Sequence, residues 1–139
     1  MLDNSLSRAE RLRSLSAIRR LFGEGKSGFV YPFRYNFLIH TDAPSAPSAA
    51  DEQTTSSSEY VKVMFSVPKR FHKRANKRNL LKRRSREAYR LNRTSLVESL
   101  SSRGLRVELA LVYSTKESHS YKTIEYAVQR ILEQVIKRS

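Results

Sequence analysis

The chain has no cysteine. Disulfides, thiolate nucleophiles and thiolate-bound zinc are thereby excluded, and the composition suits a reducing cytoplasm. No apolar run approaches the length of a membrane span. The charged, polar amino terminus lacks the apolar stretch of a secretory signal. Acids are scarce, 13 against 27 Lys and Arg. Asp42, Asp51, Glu52 and Glu59 fall in or beside one Ser-rich stretch, and no paired carboxylates suggest a two-metal nuclease. No Gly-rich loop is present to cradle a nucleotide phosphate. Histidine is limited to His40, His72 and His119. Two His and a Lys could cleave RNA as general base, general acid and charge stabiliser. Yet His40 ends an expected strand, His119 lies in a Ser-rich loop and His72 sits among cations. These are ordinary places for polar side chains, and the chain reads as a binder more than a protein catalyst.

What is there is positive charge, gathered in one place. Between Lys69 and Arg93 stand twelve Lys or Arg against the single acid Glu87, so this stretch carries +11 of the chain's +14. From Arg74 onward it favours helix, with Ala, Leu, Lys, Arg and Glu and neither Gly nor Pro. At about 100° per residue from Arg78, the residues Lys82, Arg93, Arg86, Arg90 and Arg83 fall within about 140° of one another. Leu80, Leu81, Ala88 and Leu91 fall at about 200–300°, which predicts the packing face. Arg84 and Lys77 point among these apolar positions. A solvated helix face usually mixes signs, whereas positions 78, 82, 86 and 90 set like charges at i,i+4, which destabilises an isolated helix. A polyanion that neutralises them accounts for the pattern, and nucleic acid is favoured over an acidic protein or a lipid surface.

The remainder is one domain's worth of chain, residues 1–139, with 39% apolar residues for a small core. Leu12, Leu15, Ile18, Leu21 and Phe22 predict an amphipathic helix over 8–23. Residues 33–40 alternate, with Phe33, Tyr35, Phe37 and Ile39 on one face and Arg34, Asn36, Leu38 and His40 on the other, and a shorter strand is expected near 29–31. Residues 41–59 are rich in Ser, Thr, Ala and Pro and predict a mobile loop without chemistry. A second alternating strand spans 60–67 and ends at Pro68. After the basic helix come a short helix over 94–102, a strand over 106–113, and a helix over about 121–137. That last helix is capped by Ser118 or Ser120, with a stripe of Ile124, Ala127, Val128, Ile131, Leu132 and Val135. The order helix, strands, helix, strand, helix implies an α+β fold, a small mixed sheet with helices packed on it.

The residues of the basic helix also carry a family resemblance. Lys69-Arg70, Arg74-Ala75, Arg78-Asn79-Leu80-Leu81-Lys82-Arg83 and Arg86-Glu87-Ala88-Tyr89 resemble the signature of the bacterial ribonuclease P protein component. That signature centres on Arg-Asn-Arg, then an apolar residue and Lys-Arg, then Arg-Glu-Ala and an aromatic. Leu80 stands where the second Arg of the signature belongs, and the segment from Lys69 to Arg78 is one residue longer than the commonest form. Arg11-Leu12, the run Ile18 to Phe22 and Gly25 resemble the family's amino-terminal helix.

The resemblance implies a left-handed crossover carrying the basic helix between parallel strands, against the general right-handed rule. It implies that an RNA subunit performs the chemistry with Mg²⁺ bound to the RNA, and that this chain is its accessory protein subunit with no catalytic residue of its own. By carry-over, Arg78, Asn79, Lys82, Arg83 and Arg86 would meet the RNA subunit. Lys69, Arg70, Lys73 and Arg74 before the helix, and Arg90 within it, would extend that track. The single-stranded 5′ leader of precursor tRNA would lie in a cleft between the first helix and one sheet face, served by Phe22, Arg34, Asn36, Lys62 and Ser66. A shift of one residue in strand register would replace Arg34 and Asn36 by Tyr35. Expected partners are thus the catalytic RNA and precursor tRNA, in the cytoplasm, with no membrane and no obligate protein partner. Charge and helix pattern alone fit equally a ribosomal or other RNA-packaging protein without a part in cleavage.

Overall fold

The structure, a computed structural model, describes residues 11–41 and 60–139. Its elements run α1 (Leu15–Glu24), β1 (Lys26–Val30), β2 (Phe33–His40), β3 (Val61–Ser66), α2 (Ala75–Asn92), α3 (Thr94–Arg103), β4 (Arg106–Tyr113) and α4 (Tyr121–Arg138). The strands form one mixed sheet in the order β1-β2-β4-β3. β2 pairs antiparallel with β1 and β4, while β3 pairs parallel with β4, so α2 and α3 lie in the connection between the two parallel strands. The α+β architecture expected from the sequence is present. The expected loop over 41–59 lies outside the described residues except for Thr41.

Alternation places the core. Phe33, Tyr35 and Phe37 of β2, Val61 and Val63 of β3, and Val107, Leu109, Leu111 and Tyr113 of β4 are all buried on one sheet face. The α4 stripe of Ile124, Ala127, Val128, Ile131, Leu132 and Val135 closes over that face together with Leu81, Ala88 and Tyr89 of α2 and Leu96 and Leu100 of α3. Ser120 caps α4, its hydroxyl accepting from the Thr123 N–H at 3.4 Å. Gly104 ends α3 at φ 67°, a left-handed turn that Gly adopts without a steric cost. On the opposite sheet face, Leu12, Leu21, Ala17 and Ile18 pack with Leu38, Met64 and Ala110. α1 therefore covers the end of this second face where those three residues stand and leaves the other end open.

Three expectations are corrected. The amino-terminal helix begins at Leu15, because Ser14 caps it, its hydroxyl accepting from the Ala17 N–H at 3.3 Å. Arg11 instead bridges in parallel to Val63, and the Leu12 N–H donates to the Val63 carbonyl at 2.9 Å. The first strand occupies 26–30 rather than 29–31; Gly28, opposite Tyr35, leaves the space that the Tyr35 ring fills.

The third correction turns α2 about its axis. Its buried residues are Leu81, Ser85, Ala88 and Tyr89, and Leu91 is 54% exposed. Ser85 can be buried because its hydroxyl donates to the Leu81 carbonyl at 2.8 Å. Tyr89 is held edge-on against Phe65 at 6.0 Å between centroids. The packing arc is thus centred near Ser85, roughly 70° from the arc that the leucines suggested, and Lys82 and Arg86 are brought to its border with β3.

Candidate nucleic-acid interface

Two surfaces gather most of the cations singled out in the sequence. The first is α2 with the turn that precedes it. Lys69, Arg70, Lys73, Arg74, Lys77, Asn79 and Arg83 are exposed, and Arg78, Lys82 and Arg86 are half-buried. The α2 start has no side-chain cap and no acid in its first turn, so the positive pole of the helix adds to the cations. Arg78 is partly committed to the chain itself, donating to the carbonyls of His72 at 3.0 Å and Lys73 at 2.8 Å. Arg90 is paired with Glu87 at 2.7 Å, within its own helix. Arg84, which the sequence placed among apolar positions, donates to the His119 carbonyl at 2.6 Å. Burial, then the neighbouring charges of Arg11 and Arg83, pull the Arg86 guanidinium below its ordinary pKa. It stays charged all the same, because that ordinary value is so high.

Leu80 is half-buried and stands outside the core cluster. It lies on the flank of α2 that also bears Lys77 and Arg84. Leu80→Arg is therefore expected to leave the urea midpoint nearly unchanged and to tighten RNA binding by about 1 kcal/mol or less. A lowered midpoint with weaker binding would show that Leu80 packs instead.

The second surface is the sheet end that α1 leaves open. Register sets Phe29, Arg34, Val112 and Ser66 in one row across the four strands; in the next row Ser27 and Asn36 remain on the open side, while Ala110 and Met64 lie under α1. Phe22 at the α1 flank, Phe29, Arg34, Asn36 and Arg70 line a groove of about 570 Å³ here. Phe22 and Phe29 are 44% and 55% exposed, so both rings have a face free to stack. Tyr35 is buried on the other side of the sheet, which upholds the register that faces Arg34 and Asn36 outward. Ser66 stands next to Val112 at the edge of the groove. Lys62 does not join it: it sits opposite Glu108, four residues along β3 from Ser66, or about 13 Å. Two groove residues were not foreseen in this place. Phe29 belongs to the strand whose bounds the sequence left short, and Arg70 was assigned to the helix track.

The three His each have a structural partner. His40 Nε2 lies 3.1 Å from Glu108 Oε1. The buried His72 donates from Nε2 to the Thr115 carbonyl at 2.8 Å. His119 Nε2 is 3.1 Å from the Tyr31 hydroxyl. The Tyr113 hydroxyl donates to the Glu117 carbonyl at 2.7 Å and accepts from the His119 N–H at 3.0 Å, and burial pushes its pKa up. His40 lies seven residues along β2 from Phe33, the partner of Tyr113, so roughly 23 Å separate it from the end of the sheet that holds His119. A His40–His119 pair cannot act on one phosphate.

A sheet with an aromatic and cationic groove on one face, and a cation-rich helix beside it, defines a nucleic-acid-binding protein of the α+β class. The ribonuclease P family model matches residues 6–136. The ribonuclease P protein component of Porphyromonas gingivalis is 35% identical over 127 residues, covering 91% of this chain and 83% of the relative. That of Chlorobaculum tepidum is 36% identical over 101 residues, covering 70% of this chain and 57% of the relative. Among solved structures, the Staphylococcus aureus RNase P protein shares the fold at a TM-score of 0.67 and 15% identity, over 92% of this chain and 96% of that one. The chain belongs to the ribonuclease P protein family. It is thereby a protein subunit of a tRNA-processing ribonucleoprotein, associated with ribonuclease P RNA, and the RNA-packaging alternative is set aside. No described helix is long and apolar enough to cross a membrane.

Proposed function

We propose that α2 and the turn before it hold the RNA subunit, while the groove beside α1 holds the single-stranded 5′ leader of precursor tRNA. Cleavage of the leader is then the work of the RNA in the cytoplasmic holoenzyme. The carrying observation is the groove, where Phe22 and Phe29 are interleaved with Arg34, Asn36 and Arg70. A single strand is bound by such a combination, with bases stacked on rings and phosphates tracked by cations. Mg²⁺ takes oxygen ligands, chiefly carboxylates and phosphates. The Arg and Lys side chains that dominate both surfaces do not suit it, and the α2 carboxylate Glu87 is paired with Arg90, which supports a place for the ion on the RNA.

The test compares holoenzyme affinity for precursor tRNA with and without its leader. Phe22→Ala is expected to remove about 1–3 kcal/mol of the leader's contribution, the worth of one base–aromatic stack. Phe22→Tyr should retain it. A leader contribution untouched by Phe22→Ala would remove the groove from the reading. His40→Ala, His72→Ala and His119→Ala should each keep cleavage wherever the variant folds and binds RNA. One folded, RNA-bound His variant that is inactive at every Mg²⁺ concentration would place the chemistry on the protein.

A further inference from the structure

The segment just before α1 does more than lead into the helix. Leu12 is 5% exposed, packs with Leu21 and Ala110, and is fastened to β3 by its N–H bond to the Val63 carbonyl. The arginines on either side of this buried anchor are both exposed. Arg11 and Arg13 line one notch with Lys82 and Arg86 of α2, over a floor of β3. The notch holds about 160 Å³. Four of its lining residues are cations and, among the described residues, none is an acid.

Four cationic side chains turned toward so small a space present a concentrated positive field to an anion. The mutual effect is visible at Arg86, whose pKa falls through burial and through Arg11. Guanidinium groups grip phosphate oxygens in pairs, and Lys adds a point charge. The notch has no exposed ring in its lining on which a base could stack, in contrast to the groove at the far end of α1. Its two α2 residues belong to the face already read as meeting the RNA subunit.

We propose that Arg11 and Arg13, with Lys82 and Arg86, form a clamp for backbone phosphates of the RNA subunit. This rests on the reading of α2 given above and extends that interface round the β3 edge to the segment before α1. The sequence as a helix over 8–23 would have hidden the clamp; the cap at Ser14 and the anchor at Leu12 create it.

The experiment measures binding of the full chain to ribonuclease P RNA alone, as a function of monovalent salt. It uses wild type, Arg11→Ala/Arg13→Ala, Lys82→Ala/Arg86→Ala and Arg11→Lys/Arg13→Lys. Each lost phosphate contact lowers the slope of log affinity against log salt by about 0.7–0.9. The Arg11/Arg13 alanine pair should therefore reduce it by about 1.4–1.8, and the lysine pair should keep it near wild type. The leader's contribution to precursor binding should be the same in the alanine pair as in wild type. A wild-type slope in the Arg11/Arg13 alanine pair overturns the clamp and leaves the α2 reading standing. A wild-type slope in the Lys82/Arg86 pair as well overturns the α2 reading itself. Loss seen only with leader-bearing precursor would assign the notch to the substrate instead and overturn the proposal. Equal loss in the lysine and alanine pairs would mean that Leu12 had been displaced, which overturns it too.

Discussion

Replacing Lys82, Arg83 and Arg86 together by Ala is expected to weaken RNA-subunit binding on the order of 10²–10³-fold at moderate salt. The slope of log affinity against log salt should flatten by about 2.1–2.7, three contacts' worth. Arg83 is exposed and the other two are half-buried, and Ala is the best helix former, so the fold should hold. Arg78 is left in place because its bonds to the His72 and Lys73 carbonyls pin the turn into α2. Leader removal should fail at low Mg²⁺ and largely return at high Mg²⁺, since added divalent ions screen the phosphates that the helix no longer neutralises. Cleavage rate against Mg²⁺ concentration checks this. An unchanged salt slope would contradict the assignment of α2 to the RNA.

The second large effect is expected at a residue with no side chain at all. Gly25→Ala would set a Cβ 2.5 Å from the Leu21 carbonyl oxygen and 2.7 Å from that of Phe37. Both are backbone atoms and neither can swing aside. The residue's φ of −77° suits any side chain, so the demand is for space alone. The last turn of α1 must then move away from β2, at a cost of about 1–3 kcal/mol. Phe22 moves with it. The leader's contribution to affinity should fall although no groove side chain has changed, while the salt slope with the RNA subunit alone stays. Gly23→Ala is the control: nothing lies within 4 Å of its Cβ position, and the helix should gain slightly. Thermal unfolding and leader-dependent affinity of the two variants decide it. Equal behaviour would show that the α1 end is loosely seated.

The strands and helices with a clean period could be read directly. β2 and β4 have the bounds that their alternation suggests, and the six apolar positions of α4 are its six buried residues. Patterning failed where a polar residue does an apolar residue's work. Ser85 closes on its own helix, so a stripe counted from leucines alone points α2 the wrong way. It failed again at the start of α1, where Leu12 keeps a helical spacing to Leu15 but is held by β3 across 51 residues. Of the site, Phe22, Arg34 and Asn36 could be found from family motif and strand register. Arg70 and Phe29 could not, because only the pairing of β1 with β2 and the turn after β3 bring them to the groove.

β4 lies between β2 and β3 and is the last strand in the chain. Only the β1–β2 hairpin can form from neighbouring sequence. The other two pairings wait for residue 113, and the packing face of α2 waits further for α4. During synthesis the cationic helix thus leaves the ribosome before the strand and helix that seat it. Contacts this far apart in sequence slow folding. The unpaired apolar edges of β2 and β3 are exposed throughout that interval, which makes the order of synthesis itself a hazard for aggregation.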